Sequence, residues 1–82
     1  MPDRTSLRVA ELYARVLNKE HVTDSDDFFL LGGTSLTALE LLDAIDETLG
    51  VRLPPRTLYW ATVVSELAEE IDARLAVPTE GA

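Results

Sequence analysis

The stretch "DDFFLLGGTSLTALELL", Asp26 to Leu42, marks a change of regime in the chain. Ahead of its glycine pair, acids and small polar residues crowd a segment with no period. After the pair, apolar residues recur at helical spacing. Ala38, Leu41, Leu42, Ile45 and Leu49 form one stripe, with Leu39 beside it. This spacing predicts a helix from Thr34 or Ser35 to about Leu49. Glu40, Asp43 and Glu47 recur on its outer face with Asp46 nearby, and the segment holds no Lys or Arg. Gly50 stands where a C-cap glycine belongs.

On the N-terminal side, Val9, Leu12, Tyr13, Val16 and Leu17 share one face of a first helix, Arg4 to Leu17. Arg8, Glu11 and Arg15 occupy its other side. Asp3 or Thr5 is a candidate cap, and Asn18 ends the pattern. From Asn18 to Thr34 the period lapses, and Asp24, Ser25, Asp26 and Asp27 make a turn-rich run. Phe28, Phe29, Leu30 and Leu31 then arrive together. A loop with so much apolar surface is expected to lie ordered against a core, with Phe29 and Leu31 buried. Full burial of each would be worth ~1.5–3 kcal/mol.

On the C-terminal side, "VRLPPRTLYWAT" reads as a connection with a short helical turn around Thr57–Trp60, opened by Pro55. Val64, Leu67, Ala68, Ile71 and Leu75 give the stripe of a last helix, about Val63 to Leu75, with Thr62 as its expected N-cap. No strand shows clear alternation. The expectation is an all-α fold, a small four-helix bundle of three main helices and one short third helix, with a long loop between helices 1 and 2. Residues 1–76 form its single domain and 77–82 a flexible tail.

Composition narrows the function. The chain has 82 residues, no cysteine, 46% hydrophobic residues and a net charge of −8. Such acidity argues against a nucleic-acid partner and favours basic protein surfaces. No run approaches the ~20 apolar residues of a membrane helix, and the N-terminus lacks a signal-peptide layout. A soluble, monomeric, cytoplasmic protein is expected.

Enzyme motifs fail one by one. Gly33-Thr34-Ser35-Leu36-Thr37 lacks the final glycine of a nucleophile elbow. No lysine follows Gly33, as a P-loop requires. His21, the lone histidine, lies in a loop with nothing tying it to Ser35. With no cysteine there is no transition-metal set. A calcium loop starting at Asp24 would have Phe29 at the turn glycine and Ser35 at the glutamate. No catalytic residue is expected. Taken alone, the glycines, Thr34 and Ser35 read as a sharp turn followed by a Thr or Ser N-cap. A helix N-terminus also favours a phosphate.

The longer pattern resembles the carrier-protein domains, specifically the peptidyl carriers of nonribosomal peptide synthesis, whose motif is approximately D-x-F-F-x-L-G-G-x-S-[LI]. Asp26 or Asp27, Phe28, Phe29, Leu31, Gly32, Gly33, Ser35 and Leu36 meet it. "LPPRTLYWATVVSELAEEI" is similar to the family's third and fourth helices, so the likeness runs from about Thr5 to Leu75. It implies that Ser35 carries covalent 4′-phosphopantetheine, flanked by Gly33, Thr34 and Leu36. A phosphopantetheinyl transferase would install the arm from coenzyme A. The arm would hold an aminoacyl or peptidyl group as a thioester. Implied partners are an adenylation enzyme, condensation or tailoring enzymes and a thioesterase.

The sequence begins with Met1, which fits a discrete carrier. An acyl carrier for fatty-acid or polyketide synthesis is the alternative within the class. An acidic helical interaction module without a prosthetic group is the alternative outside it. Three positions depart from the family pattern. Thr34 stands where His or Asp is common, Thr62-Val63 replaces Pro-Thr before the last helix, and Trp60 replaces a residue that is often polar. Trp60 reads either as a partner contact or as a lid on the small core.

Overall fold

The structure is a computed structural model that describes residues 4–76. The chain forms α1 (Arg4–Leu17), α2 (Ser35–Leu49), a short 3₁₀ helix (Pro55–Tyr59) and α3 (Val64–Ala76). α1 packs against both α2 and α3, and the 3₁₀ helix packs against α2. This is the expected bundle, with the third helix reduced to a 3₁₀ turn. The tail at 77–82 and the candidate cap Asp3 lie outside the described residues.

The helical stripes form the core. Val9, Leu12 and Tyr13 of α1 meet Ala38, Leu41, Leu42 and Ile45 of α2 and Val64, Leu67, Ala68 and Ile71 of α3. Val51, Leu53, Leu58 and Ala61 from the connection complete it. Val16, Leu17 and Leu49 close the stripes as partly buried residues. Leu75, expected on the stripe of α3, is exposed. It lies one turn beyond Asp72, whose carboxylate accepts a 2.6 Å hydrogen bond from Thr5 of α1. That bond also corrects the role of Thr5, which sits inside α1 and ties it to α3 instead of capping it.

The helix ends follow local chemistry. Asn18 terminates α1 at φ 57°, in the left-handed region that Asn tolerates better than most residues. Gly50 ends α2 at φ 71° and its N–H donates to the Asp46 carbonyl. Pro55 begins the 3₁₀ helix, where its missing N–H costs nothing.

The 18–34 loop is ordered, but the buried aromatic is not the one expected. Phe28 has no exposed surface, while Phe29 is 38% exposed and Leu31 only partly buried. Phe28 is drawn in because its backbone pairs with the segment before α3. Its N–H donates to the Thr62 carbonyl at 2.9 Å, and the Val64 N–H donates to the Asp26 carbonyl at 3.0 Å. Its ring then meets Tyr13 edge-on at 5.2 Å, and Phe29 stacks on its outer side at 5.3 Å, also edge-on.

Candidate functional site

The approach to α2 is built around the Phe28 ring. Leu31, Gly32 and Gly33 donate their N–H groups to the carbonyls of Asp27, Phe29 and Phe28 at 3.0–3.1 Å, a series of tight turns. The two glycines have different reasons to be glycine. Gly32 sits at φ 105°, which side chains rarely adopt. Gly33 has no such torsion, but a Cβ there would lie 2.4 Å from two Phe28 ring carbons. The backbone passes so close to the ring that only hydrogen fits.

Thr34, one of the three departures from the family pattern, has a definite task. It is the N-cap of α2, extended at φ −128°. The Thr37 N–H donates to Thr34 Oγ1 at 3.3 Å, and the Thr34 N–H donates to Thr37 Oγ1 at 2.7 Å. The two threonines form a reciprocal capping box. This settles where α2 begins. Ser35 is the first helical residue and is not the cap.

Ser35 is consequently left free. Its side chain is exposed and has no hydrogen bond among the described residues. It lies on the wall of a groove of about 220 Å³ shared with Phe29, Leu39, Pro55, Leu58 and Tyr59. Beside it are the Ser35 and Leu36 N–H groups, which a helix start leaves without intrahelical acceptors. A phosphodiester on Ser35 Oγ fits this position. The hydroxyl is accessible, the first turn offers donors, and the groove gives apolar surface next to it.

The loop that carries the site is held by Asp27. Its Oδ2 accepts from the Thr62 hydroxyl at 2.6 Å, and its Oδ1 accepts from the N–H groups of Phe29 and Leu30 at 2.9 and 3.2 Å. The Thr62 hydroxyl is the main cause holding the Asp27 carboxyl below its ordinary range. Partial burial opposes it, and the two backbone donors reinforce it. The Thr62 carbonyl also accepts from the Tyr13 hydroxyl at 2.8 Å, so the clamp reaches α1. Burial pushes the Tyr13 phenol well above its ordinary range, with the Asp27 and Glu66 charges adding to this. Of the two acids that fit the sequence motif, Asp27 makes these bonds.

This geometry corrects the expected capping role of Thr62. Its hydroxyl is committed to a carboxylate, a stronger acceptor than any it would meet as a cap. At the start of α3, Glu66 reaches back instead and accepts from the Val63 N–H at 3.4 Å. Sequence reasoning missed the Thr62–Asp27 bond, because the two residues lie 35 positions apart.

Leu39, Tyr59 and the half-exposed Phe29 leave apolar surface at the groove. Leu30, Leu36 and Trp60 are exposed as well. Trp60 therefore does not pack into the core. His21 is exposed in the first loop. Among the described residues, no group of His, Cys, Asp or Glu is placed to hold a metal ion. No helix among them is long and apolar enough to cross a membrane.

Comparison with known proteins agrees with the geometry. Residues 7–71 match the family model described as "Phosphopantetheine attachment site". A linear gramicidin synthase of Brevibacillus parabrevis is 42% identical over 69 residues, which is 84% of this chain and 1% of that protein's length. A peptidyl carrier protein solved with coenzyme A and the phosphopantetheine transferase Sfp superposes at a TM-score of 0.84. Identity is 26%, over 90% of this chain and 96% of that one. BlmI, a type-II acyl-carrier-protein of Streptomyces verticillus involved in bleomycin biosynthesis, superposes at 0.82. It is 25% identical, over 88% of this chain and 87% of that one. A chain that matches the family model from 7 to 71, over a bundle with an exposed serine at the first turn of α2, belongs to the phosphopantetheine-attachment family of carrier domains.

Proposed function

We propose that this chain carries an aminoacyl or peptidyl intermediate on a 4′-phosphopantetheine arm joined to Ser35, in nonribosomal peptide or related natural-product synthesis. One observation carries the assignment. Thr34 performs the capping that Ser35 would otherwise perform, which leaves the Ser35 hydroxyl exposed and unbonded. When bound, the arm supplies a terminal thiol that takes an acid as a thioester.

The chain's own residues hold and present the attachment point and do no catalysis. Gly33 brings the backbone tight against Phe28, Thr34 fixes the first turn, and exposed Leu36 offers apolar surface beside Ser35. A phosphopantetheinyl transferase acting from coenzyme A is the first partner, a reading supported by the superposed carrier solved with such an enzyme. Adenylation, condensation or tailoring enzymes and a thioesterase follow, supported by the gramicidin synthase relative. The exposed Tyr59 gives these partners aromatic surface in the groove beside Ser35. The carrier works as a monomer in the cytoplasm, and its contribution is effective concentration.

The test is intact-mass measurement after incubation with coenzyme A, magnesium and a broad-specificity transferase. The expected result is a gain of one phosphopantetheine, lost in Ser35→Ala, with the helical circular dichroism of that variant unchanged. No gain, or a gain that survives Ser35→Ala, would overturn the assignment. Loading by an adenylating enzyme with an amino acid, and not by acyl donors, distinguishes a peptidyl from an acyl carrier.

A further inference from the structure

The charge of this molecule is sorted by helix. α2 carries Glu40, Asp43, Asp46 and Glu47 and no cation, and α3 carries four acids against Arg74. α1 is the opposite, with three arginines against Glu11 in a chain of net charge −8. At 100° per residue, Arg4, Arg8 and Arg15 fall within an arc of about 40°. All three are exposed. Among the described residues the one ion pair is Arg52 with Asp46, so none of the three is neutralised. Even Glu11, at helical spacing from both Arg8 and Arg15, pairs with neither.

Arg8, Glu11, Leu12 and Arg15 face Thr48 across a groove of about 270 Å³ between α1 and the last turn of α2. Thr48 is ~20 Å along α2 from Ser35. A partner seated in this groove leaves the attachment serine uncovered.

We propose that this groove docks an acidic helix of a partner protein, read by Arg8 and Arg15. The two guanidiniums are two helical turns apart, ~11 Å along the axis. Carboxylates two turns apart on a partner helix meet both, and each guanidinium can take one in a forked pair. Glu11, between them, rejects a third acid at the middle position, so the partner carries a neutral or basic residue there. A second copy of this chain fails the rule. Its α2 has Glu40 and Glu47 at the right spacing but sets Asp43 toward Glu11, and two molecules of this charge repel. The net charge also disfavours nucleic acids and anionic membranes. The proposal does not depend on Ser35 carrying an arm.

The experiment titrates the ¹⁵N-labelled full chain with an alanine-based helical peptide that has glutamates two turns apart. A peptide with glutamines at those positions is the control. Amide shifts are expected at residues 8–15 and at Thr48, with affinity falling at least about tenfold in Arg8→Gln/Arg15→Gln and again at about 0.3 M salt. Glu11→Gln is expected to admit a peptide with a third, central glutamate. Ser35→Ala is expected to bind as the parent does, which separates this test from that of the carrier function. The groove assignment is overturned by shifts centred on Arg52, Arg56 or Arg74, by equal binding of the glutamine peptide, or by affinity unchanged in the double variant. Shifts at the same residues with phosphatidylserine vesicles but not with the peptide would replace the protein partner by a membrane.

Discussion

Gly33 shows how little tolerance there is beside Ser35. Its missing Cβ would stand 2.4 Å from the Phe28 ring and 2.8 Å from the Phe28 carbonyl oxygen, and neither is the loose end of a flexible chain. Gly33→Ala should therefore cost ~1–3 kcal/mol, the range for overpacking a filled site. Urea unfolding would measure it, and a midpoint equal to the parent's would mean that the ring moves aside freely. The sequence pointed to Phe29 and Leu31 as the buried residues here, whereas Phe28 goes inward, Phe29 stays half out and Leu31 is only partly buried. In a helix or strand the period assigns a face to each position. In the 27–33 turns no period operates, and the inward residue is chosen by the backbone bonds from Phe28 to Thr62 and from Val64 to Asp26. The choice between Thr34 and Ser35 as the cap was open for a related reason, since Thr37 reads as an ordinary helical residue until both hydroxyls are placed.

At the scale of elements, each stretch with a period was legible. α1, α2 and α3 came out within a residue or so of the expected ends, because 3.6-residue stripes and the Asn18 and Gly50 stops are local signals. The 18–34 loop was legible only as ordered, because what orders it is distant in sequence. Asp27 is central to that order, and its lowered pKa makes the order depend on pH. A carboxyl whose folded pKa lies below its unfolded value of ~3.9 adds stability that is fully present above that value. This stability is lost as the pH falls through the folded pKa. Parent protein should thus lose stability on acidification below about pH 4, and Asp27→Asn should be less stable at neutral pH with a flatter acid limb. Denaturant midpoints across the acid range would show this. Parallel limbs for the two proteins would remove Asp27 from the account.

For the whole molecule, the arrangement of charge has a consequence for encounter rates. Glu40, Asp43 and Glu47 lie exposed on α2, the helix that starts at Ser35, and α2 has no cation. Reversing any one to lysine should slow transferase modification at low salt, and the difference should shrink as screening increases. Stopped-flow or quenched mass measurements would follow it, and unchanged rates in all three would end the steering argument. The clamp between Asp27 and Thr62 adds a constraint of another kind. It joins positions 35 residues apart, and the Phe28, Val64 and Ser65 N–H groups bond across the same seam. On a ribosome, Ser35 emerges well before the segment that holds its loop in place. A nascent chain ending short of Thr62 would present Ser35 on an unanchored turn, so the loop around this serine is set only after Thr62 to Ser65 have emerged.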